Sequence, residues 1–357
     1  MPLYTKLTAM PLNSTLIDTT NLPQHKKVFV CPLDWGLGHA TRCIPLINAL
    51  LQNQNEVVIG ADGASLRLLQ LEFPNLRFIP LNGYRIQYSK TAAGLGFKMA
   101  IQVPKLAYAI YREHQLLKQL QLKEQFDWVI SDNRYGLWIN SAYCVFITHQ
   151  LQLKMPAGLG ALEWFPRRIF RFFIHQYKQC WVPDYASEKN LSGALSHFNT
   201  IPKNTVYIGP LSRMHKLTLP NKNRFDWTVL LSGPEPQRTQ LEDLILKQLS
   251  DPKFYTKKIA FVRGVTNTET VPVSNHPHLQ VYNYKLGEAL NELIQQSDLL
   301  ICRSGYSTLM DLDALQAKAL LIPTPGQTEQ IYLAEYWSQR FGFRWMRQSE
   351  VDLTQLL

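Results

Sequence analysis

The chain has 357 residues, 46% hydrophobic and 18% charged, a balance that excludes a disordered polypeptide and leaves room for two domains of ordinary size. Its formal net charge is +10, which favours an acidic partner: a nucleotide, an anionic lipid surface or nucleic acid. Five cysteines are scattered without a Cys-x-x-Cys pair. That argues against a disulfide framework or a zinc site and for a reducing, cytoplasmic compartment. The apolar runs are short and broken by charge, so no membrane span is expected.

Residues 1–24 are polar, lack a signal-peptide core and read as a flexible tail. An apolar run at 27–32 is the first strand. It leads through Asp34-Trp35-Gly36-Leu37-Gly38-His39 into a helix from about 39 to 51. Gly36 and Gly38 allow a tight turn that brings backbone close to a ligand. Taken alone they are also half of a dinucleotide fingerprint with Asp62 as the ribose acid, although Ala40 comes too early for the third small residue. His39 can take a proton from an acceptor hydroxyl, steady departing phosphates, or simply pack at the helix start.

Strands follow at 56–60 and 76–80, then a long helical stretch over 98–121. A strand at 126–132 ends in Ser131-Asp132-Asn133-Arg134, where ligand sites of open sheets collect. Asp132 is a candidate general base or hydroxyl ligand with Arg134 as its electrostatic partner; a turn capped by Asp132 is the plainer alternative. The strand at 144–149 ends in His149, a candidate on the acceptor side or a hydrogen-bonded structural histidine. Residues 163–173 mix aromatics with three arginines. Such a segment suits an anionic membrane surface, or a helix packed on the sheet. Strands at 179–184 and 206–211 close the first half, so a first domain is expected over 25–211, with a polar linker at 212–224.

A second series of strands begins at 227–234, so a second domain is expected over 225–357. Its first strand ends in Ser232-Gly233, and the next, at 258–262, in Arg263, a candidate phosphate or base contact. The most informative stretch is Ile301-Cys302-Arg303-Ser304-Gly305-Tyr306-Ser307-Thr308-Leu309-Met310-Asp311. It reads as a buried strand, a small-residue turn at Gly305, and a helix opening near Ser307 or Thr308, whose free N–H groups attract a phosphate. Asp311 lies one helical turn after Ser307, placed to bind ribose hydroxyls. Asp311 and Asp313 share the letters of a metal-binding Asp-x-Asp, but two positions apart on a helix they face different ways, so no metal site is expected. Strands alternating with helices throughout imply an α/β protein: two Rossmann-like, doubly wound domains facing a cleft.

That arrangement resembles the GT-B glycosyltransferases, and most of all the glycosyltransferase family 28 group that includes the peptidoglycan N-acetylglucosaminyltransferases. Arg303, Ser304, Gly305, Thr308 and Asp311 fall on its Arg-Ser/Ala-Gly-x-x-Thr-x-x-Glu turn, with aspartate in place of the glutamate. Glu329 and Gln330 fall on its Gln-rich loop, with glutamate in place of the first glutamine. Gly38-His39 matches the end of its first glycine-rich loop. The resemblance implies an inverting transfer, without cofactor or metal, from a nucleotide sugar, a UDP-sugar above all, to a hydroxyl acceptor. Ser232, Gly233 and the Gly305 turn would hold the diphosphate, and Glu329 and Gln330 the sugar. A lipid-linked acceptor would suit a peripheral position on the cytoplasmic face of a membrane. A UDP-sugar epimerase of the same fold and a non-catalytic nucleotide-sugar binder stay open. A nucleic-acid partner is not expected, since no recognition helix or zinc finger is visible.

Overall fold

The computed structural model describes residues 22–34, 37–84, 95–152, 164–219, 225–265, 270–272 and 275–357. The first domain runs β1 (Lys27–Pro32), α1 (Leu37–Gln52), β2 (Glu56–Ala61), α2 (Gly63–Glu72), β3 (Arg77–Pro80), α3 (Leu95–Glu124), β4 (Trp128–Asp132), β5 (Tyr143–Ile147), α4 (Trp164–Ile174), β6 (Gln179–Val182) and β7 (Thr205–Tyr207). All its strands pair in parallel in the order β3-β2-β1-β4-β5-β6-β7. Strands covered on both faces must be apolar along their whole length. Val28, Phe29, Val30 and Cys31 of β1 accordingly have no exposed surface.

The second domain repeats the pattern with β8 (Phe225–Leu230), α5 (Gln237–Leu249), β9 (Ile259–Val262), β10 (Leu279–Tyr282), α6 (Gly287–Gln295), β11 (Ser297–Cys302), α7 (Tyr306–Leu315), β12 (Ala319–Leu321), α8 (Thr328–Phe341) and β13 (Arg344–Trp345). Its strands are parallel in the order β10-β9-β8-β11-β12-β13. These are two doubly wound α/β domains, as the alternation of strands and helices implies.

One apolar core runs through both domains. It includes Ile44 and Ile47 of α1, Leu309 and Met310 of α7, Leu191 and Leu195 of the first domain, and Leu333 and Trp337 of α8. Helix α8 lies across a first-domain loop. Trp337 Nε1 donates to Leu191 O at 2.9 Å, Tyr336 Oη to Asn190 O at 3.0 Å, and Ala194 N to Tyr332 Oη at 2.6 Å. That loop is wound around the fully buried Asp184, which accepts from Leu191 N and Ser192 N.

The ends of the two halves are more tightly held than their polar composition suggests. Leu22 is buried and Pro23 O accepts from Asn55 Nδ2 at 2.8 Å; most of the expected tail, residues 1–21, lies outside the described residues. Of the expected linker, residues 212–219 are described. Ser212 bonds Asp311 of α7, Leu217 N donates to Gln295 Oε1 at 2.9 Å, and Met214 is buried. The Ser212 hydroxyl and the Leu217 amide find partners on α7 and α6, so a stretch without apolar period is nonetheless packed.

Candidate functional site

In an open parallel sheet, a ligand crevice forms beyond the carboxyl ends of the strands where the strand order reverses. That point lies between β1 and β4 in the first domain and between β8 and β11 in the second. The two points face each other. Ser307 Oγ, in the first turn of α7, donates to Gly38 O in the first turn of α1 at 2.8 Å. A Cβ on Gly38 would stand 3.1 Å from Ser307 Oγ, so the contact needs glycine there or a displaced serine. The amino ends of two helices therefore meet across the cleft. Each carries unpaired N–H groups and a partial positive charge. Among the described residues no side chain caps α7 at Gly305, and a Cβ at Gly305 would meet nothing within 4 Å. Gly36 and residues 220–224 lie outside the described residues.

On the first-domain side, α1 brings His39 beside Asp132. His39 Nδ1 is 3.1 Å from Asp132 Oδ1. Asp132 is fully buried and is gripped by Arg42, whose Nε donates to Oδ2 at 2.7 Å and whose second terminal nitrogen donates to Oδ1. Burial pushes the Asp132 carboxyl up, but the Arg42 guanidinium and His39 outweigh it and hold the group well below the usual carboxylate range. A carboxylate so held is a weak proton acceptor. Its place is that of a group that orients and balances His39, with the imidazole the better base. Burial lowers the His39 pKa below 6.5, Asp132 opposing and Arg42 reinforcing the shift. His39 is thus a neutral imidazole at neutral pH.

His149, at the end of β5, completes the group. Its ring stacks on Tyr306 at 4.1 Å, its Nδ1 is 3.1 Å from an Arg42 nitrogen, and its Nε2 is 2.7 Å from Glu329 Oε1. Glu329 opens α8 from the other domain. Burial acts to raise its pKa, and His149, with His39 and Arg42, more than offsets this and keeps it ionised.

On the second-domain side, the loops after β8, β11 and β12 converge. Gly233 is exposed, with φ 108°, and a Cβ there would lie 3.6 Å from Thr324 Oγ1, itself buried and without a hydrogen-bond partner among the described residues. Ser232 is half-buried beside it. Asp311 and Thr308 line a narrow crevice with Leu230, Leu300 and Leu312. Asp311 Oδ1 accepts from Ser212 Oγ at 2.6 Å, and burial raises its carboxyl to about 6. Asp313 instead accepts from Tyr185 Oη at 2.8 Å, so the two carboxylates of the Asp-x-Asp engage different elements.

Several expected contacts are turned into the protein instead. Arg303 is 1% exposed and donates to Ile322 O, Pro323 O, Gln237 O and Gln348 Oε1. With no carboxylate partner among the described residues, burial lowers its pKa to about 10. It braces the loops rather than reaching a phosphate. Arg263 pairs with Glu242, which Arg238 also holds. Arg134 does not pair with Asp132; it donates to Glu113 of α3 at 2.6 Å. Ser304 is fully buried, its hydroxyl donating to Gln330 O. The Gln330 amide ties Thr324 N to Gln327, shaping the loop. In each case a motif residue near the turn serves the backbone around it, which sequence spacing cannot separate from ligand contact.

No motif spacing marks Tyr306, Thr324 or Ser212 as site residues. Arg42 had a readable signal: it lies three positions after His39, on the same helix face.

Residues 238–357 match the glycosyltransferase family 28 C-terminal domain. No curated protein is significantly similar in sequence. Among solved structures, the glycotransferase of kitacinnamycin is similar with a TM-score of 0.63 and 13% identity, over 94% of this chain and 89% of that one. MurG of Acinetobacter baumannii is similar with a TM-score of 0.52 and 13% identity, over 92% and 88%. A spinosyn rhamnosyltransferase, SpnG, complexed with thymidine diphosphate gives 0.57 and 14%, over 89% and 86%. The fold is thus that of the GT-B glycosyltransferases. More particularly, most of the second domain is similar to the C-terminal domain of glycosyltransferase family 28.

Proposed function

We propose that the protein is an inverting glycosyltransferase that moves a sugar from a nucleoside-diphosphate sugar, a UDP-sugar, to a hydroxyl acceptor. The observation that carries this reading is the meeting of two helix amino ends beside the His39–Asp132 pair. The diphosphate would lie against the first turn of α7, where backbone N–H groups and helix dipoles meet its charge without a metal ion. The ribose would bind Asp311, and the sugar hydroxyls would reach Glu329. His39, neutral and backed by Asp132, would take the acceptor proton as the oxygen attacks the anomeric carbon and the nucleoside diphosphate leaves. Closure of the two domains over the bound donor would exclude water, which would otherwise hydrolyse it.

Titration with UDP tests the donor half. Asp311→Ala is expected to weaken UDP binding by about tenfold, the order of one hydrogen-bonded charged group. The Asp311 carboxyl is raised to about 6, and only its ionised form accepts from ribose hydroxyls. UDP affinity is therefore expected to fall as pH drops through 6. Unchanged affinity in the variant would remove Asp311 from the site. Incubation with a donor panel tests the rest. Transfer to an added hydroxyl acceptor is expected, and interconversion of the donor sugar with no acceptor would make the protein an epimerase.

We further propose an acceptor presented at an anionic membrane surface, through α4. Its inner face packs Phe170 and Phe173 on Tyr135, which follows the Asp132 loop. Its outer face leaves Phe172 62% and Ile169 43% exposed, with Arg168 exposed beside them. No helix among the described residues is long and apolar enough to cross a membrane. Co-sedimentation with vesicles containing anionic lipid is expected, and Phe172→Ser should reduce it several-fold. Equal sedimentation with neutral vesicles alone would defeat the idea.

A further inference from the structure

The loop between β12 and α8 is braced from several sides, and one side chain in it is left unbonded. Arg303 donates to Ile322 O at 3.3 Å and to Pro323 O at 3.2 Å. Thr324 N donates to Gln330 Oε1 at 2.9 Å, and Thr324 O accepts from Gln327 N at 3.1 Å. Both backbone polar groups of Thr324 are therefore occupied. Its hydroxyl is not. Thr324 is 1% exposed, and Oγ1 has no hydrogen-bond partner among the described residues. A buried hydroxyl without a partner is a cost to the free protein, and it is expected where something else supplies the partner.

Beside this hydroxyl is a gap. A Cβ on Gly233 would stand 3.6 Å from Oγ1, and no other atom beyond Gly233's chain neighbours comes within 4 Å of that point among the described residues. Gly233 is exposed, with a φ of 108° that favours glycine. The absent side chain leaves a space that a ligand oxygen can take.

The place fits a phosphate. Strand β11 lies between β8 and β12. The loops carrying Gly233 and Thr324 thus stand on either side of the β11 end, from which Arg303, Ser304 and Gly305 lead into α7. An oxygen between Gly233 and Thr324 lies over that turn, where free N–H groups and the helix dipole favour negative charge. A hydroxyl donates well to a charged oxygen. Its position along the donor follows from the elements around it. Asp311, assigned to the ribose, is on α7. Glu329, assigned to the sugar, opens α8 directly after the Thr324 loop. Thr324 is on the sugar side.

We propose that Thr324 Oγ1 donates to the second phosphate of a nucleoside diphosphate, the one that carries the sugar, with the exposed Gly233 loop moving aside as the donor enters. When the bond from the anomeric carbon breaks, its electron pair stays on that phosphate. Negative charge grows there, and the hydrogen bond strengthens as the sugar leaves.

This inference rests on the donor site proposed above, and its test separates the two. Thr324→Val keeps the shape of the side chain and removes the hydroxyl. Because that hydroxyl has no partner in the free protein, the thermal unfolding midpoint of the variant is expected to equal or exceed that of the unmutated protein. Calorimetric titration then compares UDP with UMP, which lacks the second phosphate. UDP affinity is expected to fall about tenfold, the order of one hydrogen bond to a charged group, and UMP affinity to change less than about twofold. Equal UDP affinity in the two proteins, or an equal loss for UDP and UMP, would overturn the contact. A lower unfolding midpoint would overturn it too, by showing that the hydroxyl is already partnered in the free protein, by a water for instance. Failure of the unmutated protein to bind UDP would instead overturn the donor site itself.

Discussion

His39→Ala is expected to lower turnover by about 10²–10⁴-fold, the usual worth of a positioned general base, while UDP binding changes less than about twofold. The separation follows from the proposed placement: His39 would face the acceptor, and the diphosphate would lie on the α7 turn. The pH profile should carry the same signature. Only neutral imidazole accepts a proton, and burial holds the His39 pKa below 6.5. Activity in the native protein should therefore be full at neutral pH and fall only on the acid side of 6.5. A folded-state pKa below the unfolded value also means that the unfolded chain binds the proton more readily. Stability from this group is thus present above 6.5 and is lost as pH falls through the lower folded-state value. Steady-state rates across pH, with UDP titrated in parallel, would check both. A variant with normal kcat and weakened UDP binding would make His39 a phosphate contact.

Asp132→Asn is expected to injure both fold and chemistry. Asp132 is fully buried and takes the Arg42 guanidinium through both oxygens. An amide of the same shape offers Arg42 one acceptor and no charge, and leaves an almost fully buried cation uncompensated. Removing one partner of such a pair costs about 3–5 kcal/mol. Since Asp132 also holds His39, turnover should fall with stability. The native carboxyl is held below its unfolded value, so its contribution exists above about 3.8 and disappears as pH falls further. Urea denaturation of both proteins at neutral pH would measure the difference. A variant as stable as the native protein would show that the Asp132–Arg42 pair repays no more than its own desolvation.

The alternating architecture was legible because each strand announces itself as a short apolar run. The runs at 27–32 and 299–301 sit in β1 and β11. The Gly305 turn was legible for the same reason: a small residue between a buried strand and a helix has few other uses. Motif arginines were not. Arg303 and Arg263 stand where a phosphate contact would, yet the structure uses them to hold loop carbonyls and Glu242. Arg134 sits two residues from Asp132 and points to Glu113. A positive φ of 55° at Asn133, between them, bends the chain there, and no spacing rule sees which way it sends a side chain.

The sequence by itself determined two doubly wound sheets and the positions of the turns at their strand ends, because hydrophobic period and glycine placement act over a few neighbouring residues. Only the tertiary structure decided which side chains share the cleft. His39 and Asp132 are 93 positions apart, His149 and Glu329 180, and Gly38 and Ser307 269. Contacts over such separations arise from the crossovers of a parallel sheet and from the seating of α7 and α8 on α1 and the first-domain loops, and it is this packing, not local pattern, that sets His39 on Asp132 and His149 on Glu329.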